Sequence, residues 1–74
     1  MEPNILDLRE ERCPMALLLA KRRAILLQEG ESLSIQISDT SSMQDIVSFL
    51  RLKQFDIESV AHRSFYTITV LKQG

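Results

Sequence analysis

The spacing of apolar residues changes repeatedly along this chain, and that succession constrains its fold more than any other feature. Leucine and isoleucine alternate with polar residues in LSIQIS (33–38), which is typical of a strand with one buried face. Apolar residues at helical spacing precede this stretch over 14–28 and follow it from Ser42 onward. The pattern predicts strands and helices that alternate and pack against each other.

The first helix is predicted over 14–28, with Gly30 beyond its end in a left-handed cap position. Its buried face would consist of Leu17, Ala20, Ala24 and Leu27, widened by Leu18 and Ile25. The basic cluster Lys21-Arg22-Arg23 falls on the opposite side. That cluster is interpreted either as solvated surface or as a docking spot for an acidic partner.

The rest of the chain predicts three more strands and a second helix. NILDL (4–8) is compatible with a strand, and DIESVAH (56–62) and FYTITVL (65–71) predict a hairpin with its turn at 63–64. Ser42, with Asp45 three residues later, resembles a capping box and predicts the start of the second helix. The buried face of that helix would consist of Met43, Ile46, Val47 and Leu50.

The resulting order, β-α-β-α-β-β, predicts an α+β fold with one domain over 1–74. We expect a two-layer sandwich in which both helices cover one face of a mixed four-stranded sheet. Strand order 1-2-4-3 is favoured because the last strand is apolar enough for the middle of a sheet, although an edge position stays open. Tyr66, Ile68 and Val70 would then face the helices, whereas Ser34, Gln36, Thr67 and Thr69 would lie on the uncovered face, with Phe65 as its main aromatic. That face has too few aromatics to stack RNA bases, and it is interpreted as solvated or weakly self-associating.

Composition and charge exclude several classes of function. The formal net charge of −1 argues against direct nucleic-acid binding. The longest apolar run, 15–20, is far shorter than the roughly 20 residues of a membrane span. The first residues, MEPNILD, do not resemble a signal peptide. With one cysteine, the chain is expected to form no internal disulfide and no metal cluster. No cofactor is expected. The absence of a disulfide framework predicts a reducing, cytoplasmic location.

The single cysteine, Cys13, stands directly before Pro14 and the first predicted helix. If Pro14 takes the first helical position, Cys13 caps the helix, and the positive end of the helix dipole favours its thiolate. Arg9 and Arg12 add positive charge. The alternative is a small apolar residue packed under the helix start. The only histidine, His62, would lie on the far edge of the sheet, which argues against a cysteine hydrolase.

The stretch LDLREERCPMALLLAKRRAILLQEGESLSIQISD resembles the TusA/SirA-like sulfur carriers. Their hallmark is Leu-Asp-x-Arg-Gly-x-x-Cys-Pro-x-Pro, followed by a helix, a Gly-Glu turn and a strand that ends in aspartate. The matching residues are Leu6, Asp7, Arg9, Arg12, Cys13, Pro14, Gly30, Glu31 and Asp39, with Asp45-Ile46 matching a later pair. The departures are Glu10 for glycine, an additional acid at Glu11, Ala16 for the second proline, and Thr40 and Val47 where prolines are frequent.

The resemblance spans nearly the whole chain and implies the same β-α-β-α-β-β fold. It also implies that Cys13 accepts persulfide sulfur from a cysteine desulfurase or another sulfur donor and relays it to an acceptor protein, as a carrier rather than a stand-alone enzyme. In the best-known branch this relay feeds tRNA thiolation. The residues expected to bind the partners are Arg9, Arg12, Lys21 and Arg22, because exposed charges steer encounter.

Two other functions stay open at this point. One is a regulatory or interaction module that retains the fold without the sulfur chemistry. The other is a redox sensor based on a single thiol, which would need a partner thiol as its resolver. Glu10 and Glu11 oppose ionisation of a nearby thiol and could also change the preference for a partner.

Overall fold

The computed structural model describes residues 4–12, 14–53 and 55–72. In this part of the chain the elements are β1 (Ile5–Leu8), α1 (Met15–Ile25), β2 (Ser32–Ile37), α2 (Thr40–Leu52), β3 (Asp56–Ala61) and β4 (Tyr66–Leu71). The predicted order and the α+β, two-layer architecture are confirmed. Each strand begins and ends within one residue of its predicted bounds.

The sheet has the order β1-β2-β4-β3, as favoured from the sequence. β1 pairs with β2 in parallel, and β4 runs antiparallel to both β2 and β3. Ile35 of β2 lies between Leu6 and Ile68 of its two neighbours. Because β4 has hydrogen-bonded neighbours on both sides and helices above it, Ile68 and Val70 are completely buried.

The core lies between the sheet and the two helices. α1 contributes Ala16, Ala20 and Ala24, whose small side chains let the helix approach the sheet closely. Leu33, Ile35, Ile37, Ile46, Leu50, Ile68 and Val70 fill most of the remaining core. The predicted uncovered face is confirmed by the register, which pairs Ser34 with Thr69 and Gln36 with Thr67.

The predicted role of Leu18 and Ile25 in the buried face of α1 is wrong, since they are 53% and 68% exposed. At about 100° per residue, a helix that directs Ala16, Ala20 and Ala24 at the sheet directs both of these residues away from it. The sequence pattern was ambiguous because α1 is apolar on most of its circumference.

α1 ends at Ile25, three residues before the predicted end. The backbone N–H of Gln28 donates to Glu31 Oε1 at 2.7 Å, and the N–H of Glu31 donates to the Gln28 carbonyl at 2.9 Å. Gly30 has a φ of +84°, as expected for the left-handed region, but it belongs to this turn and not to the helix cap. The Gly30 N–H donates to the Lys72 carbonyl at 3.0 Å, which ties the turn to the end of β4.

The predicted N-cap of the second helix, Ser42, is also wrong. Asp39 caps α2, and its Oδ2 accepts hydrogen bonds from the Ser42 N–H at 3.2 Å and the Ser42 hydroxyl at 2.6 Å. Ser42 lies inside the first turn and is fully buried. The extended backbone of Asp39 lets its short carboxylate reach the amide three residues later, so the helix begins earlier than the apolar spacing indicates.

Replacement of Asp39 by alanine is expected to lower the free energy of unfolding by about 1–3 kcal/mol. The change removes the cap of α2 and leaves the buried Ser42 hydroxyl without this acceptor. Urea unfolding followed by circular dichroism measures the loss, with Asp39→Asn as the matched control because asparagine retains a capping oxygen. Equal losses in both variants would contradict this assignment of the cap.

Candidate functional site

Three connections meet at one end of the sheet, where β1, β2 and β3 end and β4 begins. The register places Leu8 beside Ile37, Ile37 beside Tyr66, and Tyr66 beside Ala61. The β1–α1 connection (9–14), the β2–α2 connection (38–39) and the β3–β4 hairpin (62–65) therefore lie at the same end of the strands. Cys13, the predicted reactive residue, belongs to the first connection but lies outside the described residues. The site is therefore defined by its neighbours.

Arg9 begins the β1–α1 connection and forms an ion pair with Asp7. Its Nε lies 3.0 Å from Asp7 Oδ1 and its Nη2 lies 3.1 Å from Oδ2. The Arg9 backbone N–H also donates to Asp7 Oδ1 at 3.1 Å. The side-chain hydrogen bond from Arg9, followed by this backbone bond, lowers the pKa of Asp7 below the ordinary value for aspartate. Arg9 is thus held at the end of β1, with its charge balanced by the Asp7 carboxylate.

Phe65 links Arg9 to the hairpin, a contact that sequence reasoning missed. The Arg9 guanidinium carbon lies 5.4 Å from the centre of the Phe65 ring, within the range of a cation–π contact. Phe65 also stacks on His62, with 4.5 Å between ring centres, and His62 Nε2 lies 2.9 Å from the Thr67 hydroxyl. Phe65 was predicted as an aromatic of the uncovered face, but periodicity held no signal for its arginine partner.

Two shallow depressions flank the β1–α1 connection. One, of about 540 Å³, is lined by Asp7, Arg9, Glu10, Glu11, Ser38 and Ser64. The other, of about 260 Å³, is lined by Arg9, Glu11, Arg12, Ser38 and Asp39. Both are open and polar, so they suit contact with another protein better than enclosure of a small molecule.

The structure brings two of the predicted partner-binding residues together and separates them from the other two. Arg9 and Arg12 line the same depression, and Arg12 directly precedes Cys13 in the sequence. Lys21 and Arg22 lie further along α1. The Lys21 ammonium is 4.9 Å from the centre of the Phe49 ring, and Arg22 is exposed. The four residues therefore do not form one compact cluster.

The start of α1 differs by one residue from the prediction. Pro14 occupies the N-cap, with no side-chain hydrogen bond, and not the first helical position. The Ala16 N–H nevertheless donates to the Arg12 carbonyl at 2.9 Å, so the hydrogen bonding of the helix reaches back to Arg12. No acidic residue stands in the first turn. The positive end of the helix dipole is therefore not neutralised by a carboxylate of that turn.

Neither the histidine nor the acidic residues form a further centre in the described part of the chain. His62 follows β3, at the edge of the sheet opposite β1, and hydrogen-bonds with Thr67. Within residues 4–12, 14–53 and 55–72, no group of metal-binding side chains could hold an ion. In the same ranges, no helix is long and apolar enough to cross a membrane.

Comparisons with known proteins agree with this architecture. The crystal structure of a SirA-like protein from Desulfitobacterium hafniense superposes with a TM-score of 0.80 at 17% identity, covering 95% of this chain and 97% of that one. The solution structure of HP1264 from Helicobacter pylori superposes with a TM-score of 0.72 at 20% identity, covering 96% and 99%. At these identities the two structures support the fold alone.

The sequence comparisons are more specific. No curated protein matches the chain significantly. A family model described as "Sulfurtransferase TusA" matches residues 4–72, which is nearly the whole chain. This chain therefore belongs to the TusA family.

Proposed function

We propose that this protein is a sulfur carrier that holds a persulfide on Cys13. Membership of the TusA family supports a sulfur-carrier role in general. The observation that carries the proposal to this residue is the acid-free first turn of α1, whose N-cap, Pro14, directly follows Cys13 in the sequence. A helix start of this kind favours an anion such as a thiolate.

The proposed transfer consists of two thiol–disulfide-type exchanges. The Cys13 thiolate attacks the outer sulfur of a donor cysteine persulfide, the donor's S–S bond breaks, and the donor cysteine leaves as a thiolate. An acceptor thiolate then attacks the outer sulfur on Cys13 in the same way, and Cys13 is released as a thiolate. Neither step needs an external oxidant or reductant, because the sulfane sulfur passes from one thiolate to the next.

We assign the donor role to a cysteine desulfurase and the acceptor role to a downstream protein, such as one that feeds tRNA thiolation in the cytoplasm. Of the four proposed docking residues, Arg12 and Arg22 present the most available charge, because both are exposed. Arg9 shares its charge with Asp7, and Lys21 contacts Phe49. Charge on this surface would accelerate encounter with acidic partners.

The test is intact-mass spectrometry after incubation of the protein with free cysteine and a cysteine desulfurase. We expect the mass of one sulfur atom to be added and then removed by a thiol reductant. A folded protein that gains no sulfur from several desulfurases, although its thiol is alkylated readily, would contradict the proposal.

Glu10 and Glu11 are expected to restrain the reactivity of Cys13. Both acids belong to the same connection as Cys13 in the sequence, and they line one depression with Arg9. Because nearby carboxylates disfavour a thiolate, Glu10→Gln and Glu11→Gln should lower the Cys13 pKa and increase its alkylation rate near neutral pH. The rate of reaction with iodoacetamide between pH 5 and 10 measures the shift. Glu29→Gln, in the exposed turn between α1 and β2, is the control, and an equal shift in that variant would contradict a local effect.

A further inference from the structure

A second surface with a distinct chemistry lies at the opposite end of the strands from the β1–α1 connection. A depression of about 250 Å³ is lined by Ile25, Phe49, Lys53, Phe55 and Lys72. Ile25 and Lys53 stand at the ends of α1 and α2, and Lys72 directly follows β4. β4 runs between these two ends of the sheet, and its six residues span about 17 Å from first to last at about 3.4 Å per step. We name this depression, together with Lys21 on its rim, the lysine groove.

The floor of the lysine groove is apolar and partly aromatic. Ile25 is 68% exposed and lines the depression together with Phe49 and Phe55. Phe49 and Phe55 are half-buried and pack against the core. The groove thus offers apolar surface that this chain does not itself cover.

The rim of the groove is uniformly basic. The Lys21 ammonium lies 4.9 Å from the centre of the Phe49 ring, and the Lys72 ammonium lies 5.3 Å from that of Phe55. Among the residues that the structure describes, no salt bridge joins a lysine of this rim to a carboxylate, and the ion pair of Arg9 with Asp7 lies at the other end of the strands.

The helix dipole explains only part of this basic rim. Lys53 caps the C-terminus of α2, where a cation is favourable. Lys21, in contrast, precedes the last turn of α1, and Lys72 follows a strand. Asp56 is the acid nearest to Lys53 in the sequence. It lines a different depression, with Thr69 and Leu71 of the uncovered face of the sheet.

We propose that the lysine groove binds an acidic, apolar peptide segment of a partner protein. Carboxylates of such a segment would pair with the lysine rim, while its leucine-like side chains would cover Ile25 and the phenylalanine edges. A nucleic acid fits less well, because the ring faces that would stack on bases already contact ammonium groups and the whole chain is not basic. A second copy of this chain that docked through its α1 also fits less well. Because α1 contains no acid, such a copy would place its own Lys21 and the two neighbouring arginines against the three lysines of the groove.

This inference goes beyond the sulfur-carrier role and does not depend on it. Because the groove and the β1–α1 connection lie at opposite ends of the strands, one partner could occupy the groove while another exchanges sulfur with Cys13. The protein would then hold two partners together in addition to carrying sulfur between them.

The test uses the full chain labelled with nitrogen-15 and a fluorescein-labelled twelve-residue peptide in which glutamate alternates with leucine. In two-dimensional NMR we expect amide shifts at Ile25, Lys53, Phe55 and Lys72 and none at residues 9–12. In fluorescence anisotropy, Ile25→Ser should weaken binding about tenfold, and Lys53→Glu or Lys72→Glu about fivefold. A peptide with glutamine for glutamate should bind less tightly, and its affinity should lose the dependence on salt.

Two control variants separate this groove from general surface stickiness. Leu52→Ser removes an apolar side chain that is 82% exposed but lies outside the groove, and Arg51→Glu reverses an exposed charge in the same turn. Both should bind the peptide nearly as tightly as the wild type. The proposal would be overturned if no amide shifted or if the amide shifts were confined to residues 9–12. Equal losses of peptide affinity in the control variants would also overturn it. Since none of these readouts involves Cys13, they stay valid whether or not the protein carries sulfur.

Discussion

Replacement of Cys13 by serine is expected to abolish sulfur loading completely while leaving the fold intact. A serine hydroxyl forms no persulfide, and the chain contains no second cysteine that could substitute. Intact-mass spectrometry after incubation with cysteine and a desulfurase should therefore show added sulfur on the wild type and none on Cys13→Ser. Circular dichroism of both proteins checks that the variant is folded.

The same pair of proteins distinguishes the sulfur carrier from its two alternatives. A regulatory module predicts no loading of the wild type, together with partner binding that survives Cys13→Ser. A redox sensor predicts reversible oxidation of Cys13 at low peroxide and a mixed disulfide with a partner. Sulfur that remained on Cys13→Ser would instead show that the added mass does not reside on the thiol, and it would contradict the carrier proposal.

Replacement of Ile35 by alanine is expected to remove about 2–5 kcal/mol of stability. Ile35 is fully buried in the second strand of the sheet, between Leu6 and Ile68, where the surrounding side chains cannot collapse fully into the space left behind. At 0.05–0.15 kcal/mol per residue, a chain of 74 residues has a total stability of only about 4–11 kcal/mol. The variant should therefore be partly or largely unfolded at 37 °C.

Ile5→Ala is the matched control for this prediction. Ile5 is also an isoleucine of the sheet, but it lies in the edge strand β1 and is 49% exposed. We expect a loss of about 1 kcal/mol or less, because only part of its apolar surface is removed from water in the folded protein. Urea unfolding of both variants gives the comparison. Similar losses at the two positions would show that burial in this core does not determine the cost.

The strands could be predicted from sequence more accurately than the helix ends. Alternation in β2 and β4 specifies which residues point at the helices, because a strand directs successive side chains to opposite faces. Helix ends depend on single hydrogen bonds that periodicity does not record. The carboxylate of Asp39 begins α2 ahead of Ser42, and the contacts of Gly30 and Glu31 with Lys72 close the turn after α1.

The candidate site could be anticipated only in part. The Arg-Cys-Pro sequence before a helix identified the β1–α1 connection, because a helix start favours an anion wherever it is located. The contact between Arg9 and Phe65 joins residues far apart in the chain, and it forms because β1 ends at the same end of the sheet at which β4 begins. The lysine groove likewise combines residues of two helices with the ends of two strands.

The sequence by itself determined the order of the elements, the inward-facing residues of β2 and β4, and the position of the only thiol in the chain. These properties depend on local periodicity and on residue identity, and both can be read without knowledge of distant neighbours. Only the tertiary structure decided which face of α1 is buried, which arginine is paired and where the lysines gather over phenylalanine rings. Those outcomes depend on contacts between distant segments, and such contacts exist only once the sheet has brought the segments together.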